Sequence, residues 1–369
     1  MTLSSPALSV QSISDALQAV PDPDTGKDFV STRRIRGLTV EGGTVRFEVE
    51  PGYPAHSRRE SIRSLLTDAV SALPGVERVE IDISDKIVAR AVKNNVKLLP
   101  GVKNVIAVAS GKGGVGKSTT AANLALALAA EGACVGMLDA DIYGPSLPQM
   151  LGIDASCRPE STDGKMMEPV IAHGLQVMSV GLLVDDDTPM IWRGPLAARA
   201  LTQLMAETRW RDLDYLVVDL PPGTGDIQLT LAQSAPLTGA VIVTTPQDIA
   251  LIDARKGLRM FEKVNVPILG VVENMGIHIC SGCGREEHIF GAGGGQKICG
   301  DYGVPFLGAL PLDLKIREEA DSGAPTVVSD PGSRIAEIYQ DIARKAAVTL
   351  AGIPRDMSHK FPNIVAKNG

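Results

Sequence analysis

Residues 105–119 read Val-Ile-Ala-Val-Ala-Ser-Gly-Lys-Gly-Gly-Val-Gly-Lys-Ser-Thr, an apolar run followed directly by a glycine-rich segment. The stretch from Gly111 to Ser118 fits the spacing G-x-x-x-x-G-K-[ST], which is typical of a loop that binds nucleotide phosphates. Glycines let successive backbone N–H groups turn towards phosphate oxygens, and the N-terminus of a following helix favours an anion. The pattern predicts a strand, a phosphate-binding loop and a helix, with a nucleoside triphosphate as ligand.

The residues of this loop have separable predicted roles. Lys117 places a positive charge at the phosphates, and the hydroxyl group of Ser118 can bind magnesium. The alternative, a glycine-rich turn without a ligand, is disfavoured by the strand before the segment and the helix after it. We expect further contacts to the nucleotide from Gly111, Lys112, Gly113, Gly114, Val115, Gly116 and Thr119.

From residue 105 onwards, apolar strand-like runs alternate with helical segments. Near-continuous apolar strands separated by helices indicate a mostly parallel sheet covered by helices on both faces, an α/β fold. Ligands of such sheets bind at the carboxyl ends of the strands. The predicted strands are residues 105–109, 133–138, 215–220, 240–244, 268–272 and 306–310.

Polar side chains stand at several of these strand ends. An acid beside a phosphate-binding loop is where magnesium is held, so Asp219 is a candidate magnesium ligand. Asp141 is placed to orient the attacking water. Asn274 closes a later strand, and its amide offers a donor and an acceptor that suit an adenine edge. A helix cap or a turn residue is the structural alternative for any one of these acids.

Cys280 and Cys283 form a C-x-x-C pair, which can chelate one soft metal ion or one edge of a cluster. One pair cannot complete a four-coordinate site. The missing ligands could come from Cys299 and His288, from exogenous thiols, or from the same pair on a partner subunit. Three interpretations stay open: a metal or cluster shared across a dimer, a zinc ion within one chain, and a redox role or none. The glycines around the pair and at 291–295 predict a loop, which disfavours a thioredoxin-like motif. The remaining cysteines, Cys134 and Cys157, are expected to be core or surface residues.

Length and composition bound the class of protein. A chain of 369 residues with 44% hydrophobic content can form one large core and one small one. A net charge of -7 without a dense basic run argues against nucleic acid as the main partner. No apolar stretch is long enough to span a membrane, and Lys27 is the first basic residue, so no signal or transit peptide is expected. An odd number of cysteines, five, favours reduced thiols or metal ligands and a cytoplasmic location.

The pattern of elements predicts two domains. Residues 1–92 show helices and three strand candidates, typical of a small α+β domain. Residues 93–102 are expected to form a linker, residues 103–353 the P-loop domain, and residues 354–369 a flexible tail.

Gly-Lys-Gly-Gly-Val-Gly-Lys-Ser-Thr, with a second lysine at Lys112, resembles the deviant Walker A motif. That motif belongs to the ATPases that include the septum-site and plasmid-partition proteins, the nitrogenase iron protein and the Mrp/ApbC iron-sulfur cluster carriers. Over residues 103–350 the chain resembles the Mrp/ApbC family in particular. The segments that carry this likeness are 139–146, 190–195, 219–226, 244–248, 272–276 and the C-x-x-C loop.

The resemblance implies a homodimer that binds ATP and magnesium and hydrolyses ATP slowly. It also implies a bridging [4Fe-4S] cluster on Cys280 and Cys283, for delivery to apo iron-sulfur proteins, with cluster scaffold proteins as further partners. Lys112 would reach the partner's phosphates, Asp139 would assist at magnesium, and Pro311 and Asp313 would line the adenine pocket with Asn274.

The N-terminal region resembles a small iron-sulfur assembly-type domain that is often fused to Mrp proteins. In that domain the loop after the hairpin commonly carries a cysteine before a proline. The matching stretch here is Pro51-Gly-Tyr-Pro54, and the first cysteine of the chain is Cys134, which argues against metal handling by this domain.

A rival hypothesis is a positioning ATPase that polymerises on a membrane or DNA and recruits a partner protein, with structural zinc on the C-x-x-C pair. The thiol pair itself and the absence of a basic run count against it.

Overall fold

The structure is a computed structural model that describes residues 8–84, 86–92, 96, 98–161, 164–183, 194–280 and 282–356. Its chain divides into two compact units between Ile87 and Val88. The segment 190–193 of the family-like motif at 190–195 and the tail residues 357–369 lie outside the described residues.

The smaller unit is an α+β module with a three-stranded sheet in the order β1-β2-β3. β1 and β2 form an antiparallel hairpin, and β3 returns parallel to β2 after a helix. Apolar side chains spaced three and four apart on both helices, such as Ile62 and Leu66, are fully buried against the sheet. The elements are α1 (Val10–Gln18), β1 (Ile35–Glu41), β2 (Thr44–Val49), α2 (Arg59–Ser71) and β3 (Arg78–Ile83).

Tyr53 anchors the loop that follows β2. Its ring is fully buried, and its hydroxyl group donates a hydrogen bond of 2.7 Å to the Asp22 carboxylate. The Arg34 guanidinium lies 5.4 Å from the ring centre and 3.3 Å from the same carboxylate. The loop is therefore held by packing and hydrogen bonds.

The larger unit contains the predicted strands and the helices between them. It begins with β4 (Val102–Ser110), α3 (Lys117–Ala130), β5 (Val135–Asp139), α4 (Leu147–Met150), β6 (Val170–Ala172), β7 (Leu175–Ser179) and α5 (Gly194–Glu207). It continues with β8 (Leu213–Asp219), α6 (Asp226–Ser234), β9 (Gly239–Thr244), α7 (Asp248–Lys263), β10 (Ile268–Ile279) and β11 (Glu286–Glu287). It ends with α8 (Gly294–Tyr302), β12 (Phe306–Pro311), α9 (Leu314–Asp321), α10 (Thr326–Ser329) and α11 (Arg334–Ala351).

These strands form one sheet in the order β11-β10-β9-β4-β8-β5-β7-β6, with β12 also paired to β10. All of the pairings are parallel except those of β6 with β7 and of β11 with β10. The chain moves from β4 towards one edge and later crosses to the other. Right-handed crossovers in both directions place helices on both faces. The predicted P-loop α/β fold with a small α+β domain is confirmed.

Three features of the fold differ from the sequence-based expectation. The strands β6, β7 and β11 were not predicted, because each is too short to give a clear apolar run. Gly294 and Gly295, which we expected in a loop, begin α8. Residues 88–92, which we assigned to the N-terminal domain, group with the larger unit: Arg90 N–H donates to the Asn104 side chain at 3.1 Å, and Ala91 N–H donates to Pro354 O at 2.8 Å. The first residues of the predicted tail, 354–356, are therefore paired with this segment.

No helix in the part of the chain that the structure describes combines the length and the apolar character needed to cross a membrane.

Candidate nucleotide site and thiol hairpin

The phosphate-binding loop lies between the end of β4 and the start of α3, in the centre of the sheet. Gly116 caps α3 in the left-handed conformation, with φ of 79°. A Cβ atom there would stand 2.1 Å from the amide nitrogen of Asn274. At Gly111 a side chain is excluded by lack of space, because a Cβ atom would lie 2.2 Å from the carbonyl carbon of Asp253 in α7. At both Gly111 and Gly116, close neighbours leave no room for a Cβ atom, so glycine is required.

A cavity of about 210 Å³ opens over this loop. It is large enough to admit phosphate groups and is walled on one side by the loop backbone. The predicted site residues that line it are Lys112, Gly113, Gly114, Gly116, Lys117, Ser118, Thr119 and Asp141, and the residues that sequence reasoning missed are Ser110, Ser146, Met150 and Pro222.

Lys117 is buried at the centre of a group of carboxylates. Its ammonium nitrogen lies 2.6 Å from Asp219 Oδ1 and 3.8 Å from Asp141 Oδ2. It also donates a hydrogen bond of 3.2 Å to Ser118 Oγ. Two of the three predicted magnesium ligands, Ser118 and Asp219, thus lie at one cation.

The carboxylates outnumber the cation that faces them. Burial raises the pKa of Asp219 and of Asp141, and the charge of Lys117 opposes the shift in both. Burial and the neighbouring Asp219 raise the pKa of Asp139 to about 7. Asp219 Oδ2 and Asp141 Oδ1 are buried without a hydrogen-bond partner in the described structure. Oxygen ligands and excess negative charge are what magnesium prefers, so these residues fit the predicted ion.

Asp139 is held differently from the other two acids. Its Oδ1 accepts the N–H of Asp141 at 3.1 Å, and its Oδ2 accepts the N–H groups of Ser146 and Leu147 at 3.1 and 3.2 Å. The Ser179 hydroxyl group adds a fourth bond of 3.1 Å. Asp139 therefore anchors the segment after β5, and its role at magnesium stays a prediction.

The residues predicted for adenine recognition have local partners. The Asn274 amide donates to Val115 O at 2.9 Å and accepts the N–H of Met275 at 2.9 Å, so both of its functional groups are engaged. Asp313 caps α9 through a 2.8 Å bond from Lys315 N–H. Pro311 ends β12 beside the far part of β10, paired with Ile277. Their contacts to adenine stay predictions.

Lys112 extends from the loop into the same cavity. Within the described residues its ammonium group has no ion-pair or hydrogen-bond partner, whereas its carbonyl oxygen accepts a bond of 2.9 Å from the Ser110 hydroxyl group. The Lys112 backbone is therefore held by a hydrogen bond, and its ammonium group can still bind an anion.

Cys280 and Cys283 lie at the tip of a β-hairpin. β10 continues beyond the strands beside it and pairs with β11, His278 opposite Glu287 and Ile279 opposite Glu286. The turn is closed by Cys280 N–H to Arg285 O at 2.9 Å and by a bond of 2.8 Å from Gly284 N–H to Cys280 O. Cys283 is exposed and Cys280 is half-buried. The hairpin thus presents both thiols to solvent.

The thiol groups of Cys280 and Cys299 differ in acidity. The N–H groups of Gly282 and Cys283, followed by the Cys283 thiol, lower the pKa of Cys280. Cys299 is buried in α8, where burial raises its pKa to about 11 and its Sγ donates to Pro305 O at 3.4 Å. Burial and the bond to Pro305 therefore favour the protonated thiol of Cys299, which counts against the ligand role that the single-chain zinc hypothesis gives it.

His288, the other ligand in that hypothesis, bonds through Nδ1 to Gly276 O at 2.8 Å. Among the described residues, no group of three or more His, Cys, Asp or Glu side chains is close enough together to hold a metal ion.

A central parallel sheet, a phosphate-binding loop with a buried lysine, and carboxylates at the neighbouring strand ends together define a P-loop NTPase. A family model described as "NUBPL iron-transfer P-loop NTPase" matches residues 101–347. A second, described as "Iron-sulfur cluster assembly protein", matches residues 10–83. The chain belongs to the family of iron-transfer P-loop NTPases, with an iron-sulfur assembly domain before the NTPase region. The family resemblance predicted from the motifs is confirmed.

Curated relatives agree with this assignment. An iron-sulfur cluster carrier protein of Pseudomonas fragi is 60% identical over 279 residues, which are 76% of this chain and 97% of the relative. The carrier protein of Escherichia coli K12 is 51% identical over 328 residues, 89% of each chain. That of Synechocystis is 46% identical over 351 residues, 94% of this chain and 99% of its own.

Solved structures show the same fold. A nucleotide-binding protein of Archaeoglobus fulgidus in complex with ADP is 38% identical, with a TM-score of 0.54 over 60% of this chain and 87% of its own. The cell division ATPase MinD of Pyrococcus furiosus is 24% identical, with a TM-score of 0.50 over 66% of this chain and 97% of its own. The second likeness concerns the fold alone.

We predict that Lys117→Ala abolishes ATP hydrolysis and weakens nucleotide binding. Removing a preorganised charge at the phosphates should lower the hydrolysis rate by on the order of 10²-fold or more. The measurement is phosphate release under saturating ATP, with Lys315→Ala as control because that lysine side chain is 68% exposed. Wild-type turnover in the Lys117→Ala protein would contradict the assignment.

We also predict that Cys280 ionises below the usual thiol pKa of about 8.5, since backbone N–H groups stabilise its thiolate. The rate of alkylation by iodoacetamide, followed at this residue by mass spectrometry, should reach half its maximum at a lower pH in the folded protein than in the chain unfolded in urea. Equal midpoints in the two states would show that the hairpin does not activate the thiol.

Proposed function

We propose that this protein is an ATP-hydrolysing iron-sulfur cluster carrier. In this proposal a [4Fe-4S] cluster is the cargo, bound by Cys280 and Cys283 from each of two copies of the chain and transferred to apo-proteins. The similarity to iron-sulfur cluster carrier proteins of Pseudomonas fragi and Escherichia coli supports the carrier activity. The proposal depends mainly on one observation. The two thiols lie at the tip of a hairpin formed by the end of β10, a strand of the sheet that carries the phosphate loop.

The chemistry of the pair suits a transferable cluster. The thiolate is the form that binds iron, and the backbone N–H groups that lower the pKa of Cys280 favour it. An exposed position lets an acceptor protein approach the cluster. A ligand pair in a core would hold its metal out of reach.

One pair supplies two of the four thiolates that a [4Fe-4S] cluster requires. Cys299 is buried and protonated, and the described residues offer no third ligand beside the pair. The same pair from a second chain would complete the shell.

The nucleotide half of the proposal assigns roles to four polar residues in and beside the cavity. Ser118 and Asp219 would hold magnesium, which neutralises charge on the phosphates when bound. Lys117 would exchange its carboxylate partners for phosphate oxygens. Asp141, with one buried oxygen unpartnered, would accept a hydrogen bond from the attacking water. The ATPase activity would then load or release the cluster.

Lys112 is proposed to act across the dimer. Its ammonium group, which no described residue of its own chain pairs with, would neutralise the phosphates bound to the other chain. The resemblance to deviant Walker A ATPases supports this assignment.

We predict that Cys280→Ala or Cys283→Ala removes iron binding and keeps ATP binding, since the hairpin thiols lie outside the residues that line the phosphate cavity. Anaerobic reconstitution with iron and sulfide should give a brown protein with about four iron atoms per two chains. Iron content, absorption and nucleotide affinity are measured on each variant.

Cys134→Ala, which removes an exposed cysteine elsewhere in the fold, is the matched control and should keep both activities. A stable zinc ion in each separate chain, with no iron uptake, would overturn the carrier function and leave the P-loop assignment intact.

A mixing experiment tests Lys112. If it acts in trans, Lys112→Ala chains and Asp141→Ala chains, each inactive alone, should regain one working site per mixed dimer. That site combines Asp141 of one chain with Lys112 of the other. Phosphate release is measured across mixing ratios, and a rate that never exceeds the sum of the two parent proteins would contradict the trans assignment.

A further inference from the structure

β10 contains an irregularity between the nucleotide site and the thiols. Glu273 pairs with Ala309 of β12, yet the next paired residue is Ile277, opposite Pro311, so four steps along β10 match two along β12. Met275, in the middle, has φ of 58°, a left-handed conformation that is unusual for a residue with a side chain. The bulge divides β10 into a part within the sheet and a part that carries the hairpin.

Asn274 lies in this bulge and binds the phosphate loop. Its side chain is 8% exposed and donates to Val115 O at 2.9 Å. In a trans peptide the C=O and N–H groups point in opposite directions, so a bond that holds the Val115 carbonyl also fixes the direction of the Gly116 N–H. That N–H belongs to the glycine that opens α3 and lines the phosphate cavity. A change in the loop therefore acts directly on Asn274.

Beyond the bulge, hydrogen bonds join the strand to the hairpin. Gly276 O is bonded to His288 Nδ1 at 2.8 Å, which ties the returning arm of the hairpin to the bulge. Because a carbonyl oxygen only accepts, His288 carries its proton on Nδ1 in this bond. Leu312 N–H donates to Ile277 O at 2.7 Å and holds the outgoing arm. Cys280 follows three residues after Ile277 in sequence.

Glu273, the residue before Asn274, adds a second link. Its buried carboxylate accepts the N–H of Gly295 at 2.6 Å, at the start of the helix that follows the hairpin. Both ends of the hairpin segment are thus fastened within one or two residues of the side chain that holds the phosphate loop.

We propose that Asn274 is a positioning residue that transmits nucleotide occupancy from the phosphate loop through the β10 bulge to Cys280 and Cys283, so that ATP alters the reactivity of these thiols. The strained Met275 is the point at which the strand changes direction, and strain of this kind is retained where two arrangements are used. This inference deepens the proposed function and rests on it for its biological meaning. The coupling itself requires no cluster.

The test is the alkylation rate of Cys280 and Cys283 by iodoacetamide, read by mass spectrometry, with saturating ATP and magnesium and without nucleotide. In the wild-type protein we expect ATP to change the rate by about fivefold or more, the lower end of typical coupling between sites. In Asn274→Ala, saturated with nucleotide at a separately measured affinity, the two rates should agree within about twofold. His288→Ala, changed at the hairpin end, should lose the response while keeping wild-type nucleotide affinity.

Asn104→Ala is the matched control. It removes another buried asparagine of the same sheet, whose amide donates to Val88 O and Asp214 O at 3.2 and 3.1 Å and makes no contact with the phosphate loop. Its nucleotide response should equal that of the wild type. A wild-type response in saturated Asn274→Ala, or in His288→Ala, would overturn the relay, as would a wild-type protein whose thiols ignore ATP.

If the Asn274→Ala protein fails to bind nucleotide, the relay is tested by the His288→Ala protein alone, through the effect of ATP on its thiol alkylation rates. Iron uptake is measured separately, so a protein that shows the thiol response but takes up no iron would contradict the carrier function and not the relay.

Discussion

The buried contact of Lys117 with Asp219 is the interaction on which the nucleotide site depends. A lysine at 6% exposure is stable only with a charged partner, and Asp219, with no exposed surface, supplies it at 2.6 Å. The contact joins the first residue of α3 to the last residue of β8, so it fixes the phosphate loop against the neighbouring strand. The acids at the end of β5 add negative charge to the same space. One buried cation therefore faces more than one carboxylate, and this excess of negative charge is the feature on which the proposed magnesium site rests.

The topology then explains how one sheet positions both the phosphate loop and the thiol pair. β4 lies in the middle, so its carboxyl end faces the phosphate cavity, while β10, two strands away, continues past that edge. A strand that leaves its sheet needs new partners for its backbone, and β11 and the residues after β12 provide them. The thiol hairpin is therefore an extension of a core strand. The bulge at Asn274 is joined to the thiols both by the backbone of β10 and by the hydrogen bonds of the hairpin.

Sequence reasoning recovered the parts of this structure that have a strong local signal. The phosphate loop, the six long apolar strands and the C-x-x-C turn follow from spacing and periodicity. It missed β6, β7 and β11, which are short. It also could not show that Asn274 binds Val115, because a residue 159 positions away in sequence becomes a neighbour only in the fold. The hydrogen bonds to the Asp139 carboxylate, from the N–H groups of Asp141, Ser146 and Leu147, are likewise visible only in the fold, and its role at magnesium stays a prediction. Gly111 was assigned to phosphate binding, and its contact with α7 adds a packing reason for the same residue.

The contrast between Cys299 and Cys280 shows that the position of a thiol in the fold decides its chemistry. Both are cysteines of the same unit, but burial keeps the Cys299 thiol protonated, with its pKa raised to about 11, and a turn of backbone N–H groups favours the thiolate of Cys280. A stable core requires the first environment, because an unpaired buried charge is costly. A transferable metal centre requires the second, because iron must reach the sulfur and leave it again. Under the proposed function, the extension of β10 meets both requirements, because it places the thiol pair outside the core while hydrogen bonds still join it to the bulge at Asn274.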